Sequence, residues 1–192
     1  MTTTHLHCSC QRRQLLRLAG WAVLGSIGTV GTLGTLAGCS DQASSAQSLV
    51  PVEIDRSTSC ELDGMLLSDY PGPKAQVHYA GQAKPVFFCD TIELFSTLLA
   101  GEQVRAVKAV YVQDMGKADW DQPVGHWIDA KVGIYVLGSK RHGSMGPTIG
   151  SFAQEADAQK FAAENGGKVL RFGEITAGMV DLTGAALHDT RM

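Results

Sequence analysis

From Ala75 to Thr176 the sequence runs twice through one order of elements, and that order limits the fold more than any other feature. AQVHYA and KPVFFCD are short strand-like runs joined by GQA, which reads as a hairpin. DTIELFSTLLAG follows as a helix. Asp90 can cap it, with Glu93 three residues on; Ile92, Phe95, Leu98 and Leu99 share one face, and Gly101 is a natural stop. VRAVKAVYVQD then alternates as a strand. The second pass reads WIDAKVGIYVLGS as a strand, TIGSF as another after the loop KRHGSMGP, AQEADAQKFAAENGG as a helix ending at Asn165-Gly166, and KVLRFGEIT as a closing strand. Strand, strand, helix, strand occurring twice predicts an α+β protein with two similar ββαβ modules in tandem, at residues 56–116 and 117–180. Beyond them, residues 181–192 show little periodicity and are expected to form a frayed tail.

The front of the chain belongs to a different class of sequence. Arg12, Arg13 and Arg17 stand in a segment with no acidic residue, and an apolar, glycine-rich stretch runs from Leu18 to Gly38. A basic start, an apolar middle and small residues before a cleavage point describe a signal peptide over residues 1–38. Leu36-Ala37-Gly38-Cys39 resembles the bacterial lipoprotein box, in which the cysteine is lipidated and becomes the new N-terminus. The run RRQLLR resembles the twin-arginine export motif. The competing reading, an uncleaved membrane helix, suffers from the six glycines between Gly20 and Gly38. Residues 39–55 would then be the lipidated N-terminus and a small, polar linker. These features place the protein at the periplasmic face of a membrane; Ser40 after Cys39 leans towards the outer one.

With the leader gone, the 16 Lys and Arg fall to 13 against 19 Asp and Glu, a mature balance of −6. That excess of acid argues against a nucleic-acid partner, which would need a basic stripe. Cys8 and Cys10 leave with the leader and Cys39 takes lipid, so Cys60 and Cys89 remain as thiols. In an oxidising compartment they could simply pair.

Catalytic signatures are lacking: there is no G-x-S-x-G elbow, no H-E-x-x-H and no phosphate-binding glycine loop. The chain therefore reads as a non-enzyme. Asp63 and Asp69 suit turns, and His78 and His126 suit structural or exposed roles. Sulfur is what stands out. Met65 follows Cys60 in a polar, glycine-bearing loop, and Met145 follows His142 in KRHGSMGPTIG. Methionine normally fills gaps in cores, and neither position offers one. Soft thiolate and thioether donors select Cu(I), whereas zinc would want four N or S ligands at a recognisable spacing. On the residues alone, a copper site and a Cys60–Cys89 disulfide with two surface methionines both stand.

CELDGMLLSDYPGPKAQV, then KPVFFCDTIELF and YVLGSKRHGSMGPTIGSF, resembles the NosL family, the accessory lipoproteins of nitrous-oxide reductase, over roughly Cys60 to Val180. The resemblance implies two ββαβ modules like those of organomercurial-lyase relatives. It also implies a Cu(I) chaperone for the reductase's copper–sulfide centre, with the reductase, its membrane maturation complex and the membrane as partners. By motif position the implied ligands are Cys60, Met65 and Met145, with His142 a further candidate. Many relatives have a second cysteine where this chain has Asp63. Two other functions stay open: an assembly lipoprotein without metal, and a thiol-dependent enzyme related to organomercurial lyases. Cys89, at the end of an apolar strand, reads first as a buried structural thiol.

Overall fold

The computed structural model describes residues 48–180 except 103, together with residue 182. Arg12, Arg13, Cys39, the leader and the tail from residue 183 lie outside the described residues.

Both expected passes form. The first gives β1 (Ala75–Tyr79), β2 (Val86–Phe88), α1 (Thr91–Leu99) and β3 (Val107–Gln113); the second gives β5 (Ile134–Gly143), β6 (Gly146–Phe152), α2 (Glu155–Asn165) and β7 (Lys168–Arg171). An additional strand, β4 (Trp127–Asp129), lies between them. All pairings are antiparallel, in one sheet of order β2-β1-β3-β4 and another of order β6-β5-β7. The chain is α+β, as the element order predicted.

Three segments differ from their expected form, the shortest change being in KVLRFGEIT, which is strand only over Lys168–Arg171 and turns as a 3-10 helix at Phe172–Glu174. The stretch 127–139, read as one strand, is two. Asp129 accepts from the Lys131 N–H at 2.8 Å and Gly133 N–H bonds to Ala130 C=O at 3.3 Å, so the chain turns at residues 130–133. Before the turn, β4 adds to β3; after it, β5 opens the second sheet. The supposed loop KRHGSMGP is mostly strand: β5 and β6 run up to the pair Gly143–Gly146, leaving Ser144 and Met145 as a two-residue tip.

The two passes share a core. Val77 and Tyr79 of β1, Val112 of β3 and Phe95 of α1 pack in one cluster with Tyr135 and Ile149 of the second sheet. The Phe95 ring meets Tyr135 edge-on at 5.0 Å and Phe172 at 5.4 Å. α2 closes a smaller cluster with Ile134, Val136 and Phe152. The alternate residues of β1, Gln76 and His78, face the other way and are buried too. What covers that face includes the end of the expected linker: Gln76 bonds both ways to the Val52 backbone, at 2.8 and 2.9 Å, and the Tyr111 hydroxyl donates to Leu49 C=O at 2.6 Å. Such pairing leaves few backbone groups unsatisfied as the segment crosses the sheet. No helix among the described residues is long and apolar enough to cross a membrane.

Candidate metal centre

Cys60 opens a tight loop. Its N–H donates to Met65 C=O at 2.9 Å and its C=O accepts from Gly64 N–H at 3.0 Å, while Asp63 Oδ1 accepts from Met65 N–H at 2.9 Å. Gly64 makes this turn possible with φ +76°, a conformation that costs a side chain energy. Below the loop, Glu61 N–H bonds to Phe87 C=O at 2.8 Å. That bond fixes the loop against β2, which ends one residue before Cys89.

Cys89 directly precedes the cap of α1. Asp90 Oδ1 accepts from Ile92 N–H at 3.0 Å, as the sequence led us to expect. Glu93 does something else: its Oε2 lies 3.2 Å from Cys60 Sγ and 3.1 Å from Cys89 Sγ. Both cysteines are buried and free. Donor atoms of Cys60, Asp63, Cys89 and Glu93 all lie within 4.8 Å of one another. That is close to the span of two metal–sulfur bonds of about 2.3 Å each, so one ion could touch every member. Only Asp63 is exposed, which puts the way in on its side. Asp63 thus offers a carboxylate oxygen beside Cys60, and Cys89 supplies the second thiol.

The second sheet reaches the same place through the β5–β6 tip. Ser144 Oγ lies 3.0 Å from Cys89 Sγ and donates to Cys89 C=O at 3.2 Å. Thr148 donates to Asp90, and Thr91 Oγ1 donates to Ile149 C=O at 2.5 Å, so β6 holds the start of α1. Gly143 lies so close that a Cβ there would meet Asp90 Oδ2 at 2.0 Å; one on Gly72 of the DYPG stretch would meet Gly143 Cα at 2.8 Å. Lys74, buried, donates to Pro71 C=O at 2.9 Å and Cys89 C=O at 3.0 Å, tying DYPG to the cysteine.

The candidate residues therefore fall as follows. Cys60 is in the cluster. Met65 closes its loop, and Met145 follows Ser144 at the tip that meets Cys89. His142 is exposed on β5, paired with Pro147, and its C=O accepts from Trp120 Nε1 at 2.9 Å. No imidazole joins the cluster among the described residues. Glu93 and Ser144 had no role in the sequence reading beyond a possible cap and a loop position. A carboxylate four residues after a cysteine at a helix start was the available signal.

The electrostatics separate the two thiols. A hydrogen bond with Cys89 is the main cause that holds Cys60 down to about 6, against the opposing effect of burial. The same hydrogen bond, with burial, pushes Cys89 up. Burial first, and the nearby Cys60 second, push Glu93 up to about 8. At neutral pH the cluster therefore keeps one thiolate, on Cys60, one thiol and a protonated Glu93. Taking up a metal ion through both sulfurs would release protons. Burial pulls Lys74 down while Asp90, Cys89 and Glu93 oppose it.

This geometry has relatives. The NosL family model matches residues 51–180. A protein of Stutzerimonas stutzeri described as copper-binding lipoprotein NosL is 39% identical over 153 residues, 79% of this chain and 79% of its own. One of the same description from Achromobacter cycloclastes is 39% identical over 139 residues, 70% of this chain and 72% of its own. The crystal structure of the copper chaperone NosL from Shewanella denitrificans superposes with a TM-score of 0.64 at 43% identity, covering 67% of this chain and 97% of that one. The family model spans the Cys60 loop, α1 and the β5–β6 tip together, and the chain belongs to the NosL family.

Proposed function

We infer that this chain carries Cu(I) at the periplasmic face of a membrane and delivers it for the copper–sulfide centre of nitrous-oxide reductase. The observation that carries the reading is the buried pair of free thiols with Glu93 between them, their donors within 4.8 Å of one another. Soft sulfur donors favour Cu(I) over harder ions. The ligand set is Cys60 and Cys89 with thioethers from Met65, which closes the Cys60 loop, and Met145, which follows Ser144 at the tip that meets Cys89. His142, exposed at the base of the tip and outside the cluster, stays a further candidate. The relatives' descriptions as copper-binding and as lipoproteins support both the cargo and the anchor. Lipid on Cys39, with export through Arg12 and Arg13, would hold the domain near the reductase's maturation complex, and Ser40 leans the anchor towards the outer membrane.

Equilibrium dialysis against Cu(I) under reducing, anaerobic conditions tests the carrier. One ion per chain is expected above pH 6, with uptake falling as acid protonates Cys60 below about 6. Cys60→Ser should lose about tenfold or more in affinity, the loss of a thiolate ligand. Parent-like binding by that variant, or no uptake by the parent, would end the reading.

One observation favours a second reading. Two thiols beside a carboxyl pushed up to about 8 also suit cleavage of a carbon–mercury bond, with the proton passing from Glu93 to carbon and the metal to the sulfurs. Catalytic turnover of an organomercurial would select it; stoichiometric Cu(I) uptake without turnover selects the carrier.

A further inference from the structure

The β5–β6 hairpin changes character partway along its length. Over Ile134–Leu137, β5 pairs with β6 on one side and with β7 on the other. At Leu137 the β7 register ends and the β6 register shifts; pairing resumes only at His142–Pro147 and Gly143–Gly146. Gly138 stands at the shift with φ +79°, and nothing lies within 4 Å of where its Cβ would be. Ser139 beside it is buried, and its hydroxyl has no hydrogen-bond partner among the described residues, a cost that contact with water would relieve. The outer end of the hairpin thus hangs from the sheet by a bulge, an irregularity that bends a strand and interrupts its ladder.

This outer end covers a sulfur. Cys89 is fully buried, and Ser144 Oγ at the tip lies 3.0 Å from its Sγ. Two contacts outside the cysteine cluster hold the hairpin end in place. Trp120 Nε1 donates to His142 C=O at 2.9 Å, and the Arg141 guanidinium sits over the Trp120 ring at 5.0 Å. Trp120 is itself anchored. It stacks on Phe161 of α2 at 5.1 Å, and its C=O accepts from Gly72 N–H at 2.8 Å. One indole therefore ties the hairpin, beyond its bulge, to α2 and to the DYPG stretch.

We propose that the β5–β6 tip is a flap that lifts off Cys89 by bending at residues 138–141, and that Trp120 is the positioning residue that latches it shut. The flap stands on the geometry of the hairpin; its part in passing copper on rests on the carrier reading. Lifting the tip takes Ser144 off Cys89 and moves Met145 with it. A donor from a partner can then enter at Cys89 while Cys60 still holds the ion, so exchange proceeds ligand by ligand.

Flap opening is read without metal, in the full chain carrying Cys60→Ser, so that modification of Cys60 does not disturb its neighbour. The rate at which N-ethylmaleimide labels Cys89 is followed on the Cys89 peptide by mass spectrometry. Below the unfolding transition this rate should depend only weakly on urea, because a local opening exposes little surface. Trp120→Phe keeps a ring against Phe161 and drops the N–H, and it should raise the rate about fivefold, the worth of one hydrogen bond. Arg141→Ala, a surface change, should raise it about threefold. Labelling that follows global unfolding at every urea concentration overturns the flap, and a parent-like rate in Trp120→Phe overturns the latch. With both cysteines in place, Trp120→Phe should speed passage of Cu(I) to bicinchoninate by about the same factor. Unchanged transfer overturns the role in copper exchange. Should the parent take up no Cu(I), the carrier reading falls, while the urea dependence of labelling still decides whether the tip opens.

Discussion

Glu93 and Cys60 draw protons in opposite directions, and the balance between them is measurable in the metal-free protein. Glu93 rises from an ordinary 4.5 to about 8, so folding takes up a proton between those values and stability falls as pH rises across them. Cys60 drops from an ordinary 9.0 to about 6, so its contribution is full above 9 and is lost as pH falls through about 6. Between pH 6 and 8 the two slopes oppose each other, and the parent's stability should be nearly flat. Glu93→Gln removes one slope and leaves the other. Its stability should rise with pH by about 1 kcal/mol per unit across that range, since one proton per unit is worth about 1.4 kcal/mol. Urea unfolding at pH 6, 7 and 8 under reductant reads this directly. A variant that tracks the parent at all three would deny Glu93 its hold on the proton. A companion outcome concerns the sulfurs: Cys89→Ser weakens the hydrogen bond that stabilises the Cys60 thiolate, so thiolate absorbance should appear at higher pH than in the parent.

The elements meet at the start of α1, and glycine is what lets them meet. A Cβ on Gly143 would fall 2.0 Å from Asp90 Oδ2, so Gly143→Ala must push the β5–β6 tip off the helix or disturb the cap. Overpacking of this kind costs about 1–3 kcal/mol. Denaturant unfolding should show that loss, and Cu(I) affinity should drop with it because Ser144 and Met145 move together. A stability loss with unchanged affinity would detach the tip from the site. Much at this scale was legible beforehand. The helix 91–99 and its Asp90 cap followed from spacing, and so did the strands that flank Cys89. What escaped reading depends on contacts between distant segments. Glu93 looked like half of a capping box because the sequence shows its distance from Asp90 but not the sulfurs beside it. KRHGSMGP looked like a loop because its glycines signal turns, whereas Gly143 and Gly146 are paired strand ends and only two residues turn. Lys74 sits just before the strand-like run AQVHYA, and nothing local says that its amine will hold Pro71 and Cys89 together.

At the scale of the molecule, the tandem order suggests two modules, and the packing gives them one shared core. Phe95 extends from α1 in the first pass and is surrounded by Tyr135 and Phe172 of the second. Ser151 Oγ donates to Gln113 C=O at 2.6 Å and Met115 N–H to Ser151 C=O at 2.8 Å, so β3 and β6 are also linked through buried groups. Contact of the β5–β6 tip with Cys89 through Ser144 needs this, because independent motion of the halves would carry the tip away from the cysteine. Phe95→Ala tests the coupling. Removing a buried phenyl from a core costs about 3–5 kcal/mol. If the halves were independent, hydrogen exchange would speed up in the first pass and leave β5 and β7 protected as before. With a shared core, amides of β1, β3, β5 and β7 should all lose protection by the same increment, and heating should still give one transition. Two transitions, or unchanged protection in β5, would mean that the metal site is assembled across a joint and not inside a single body.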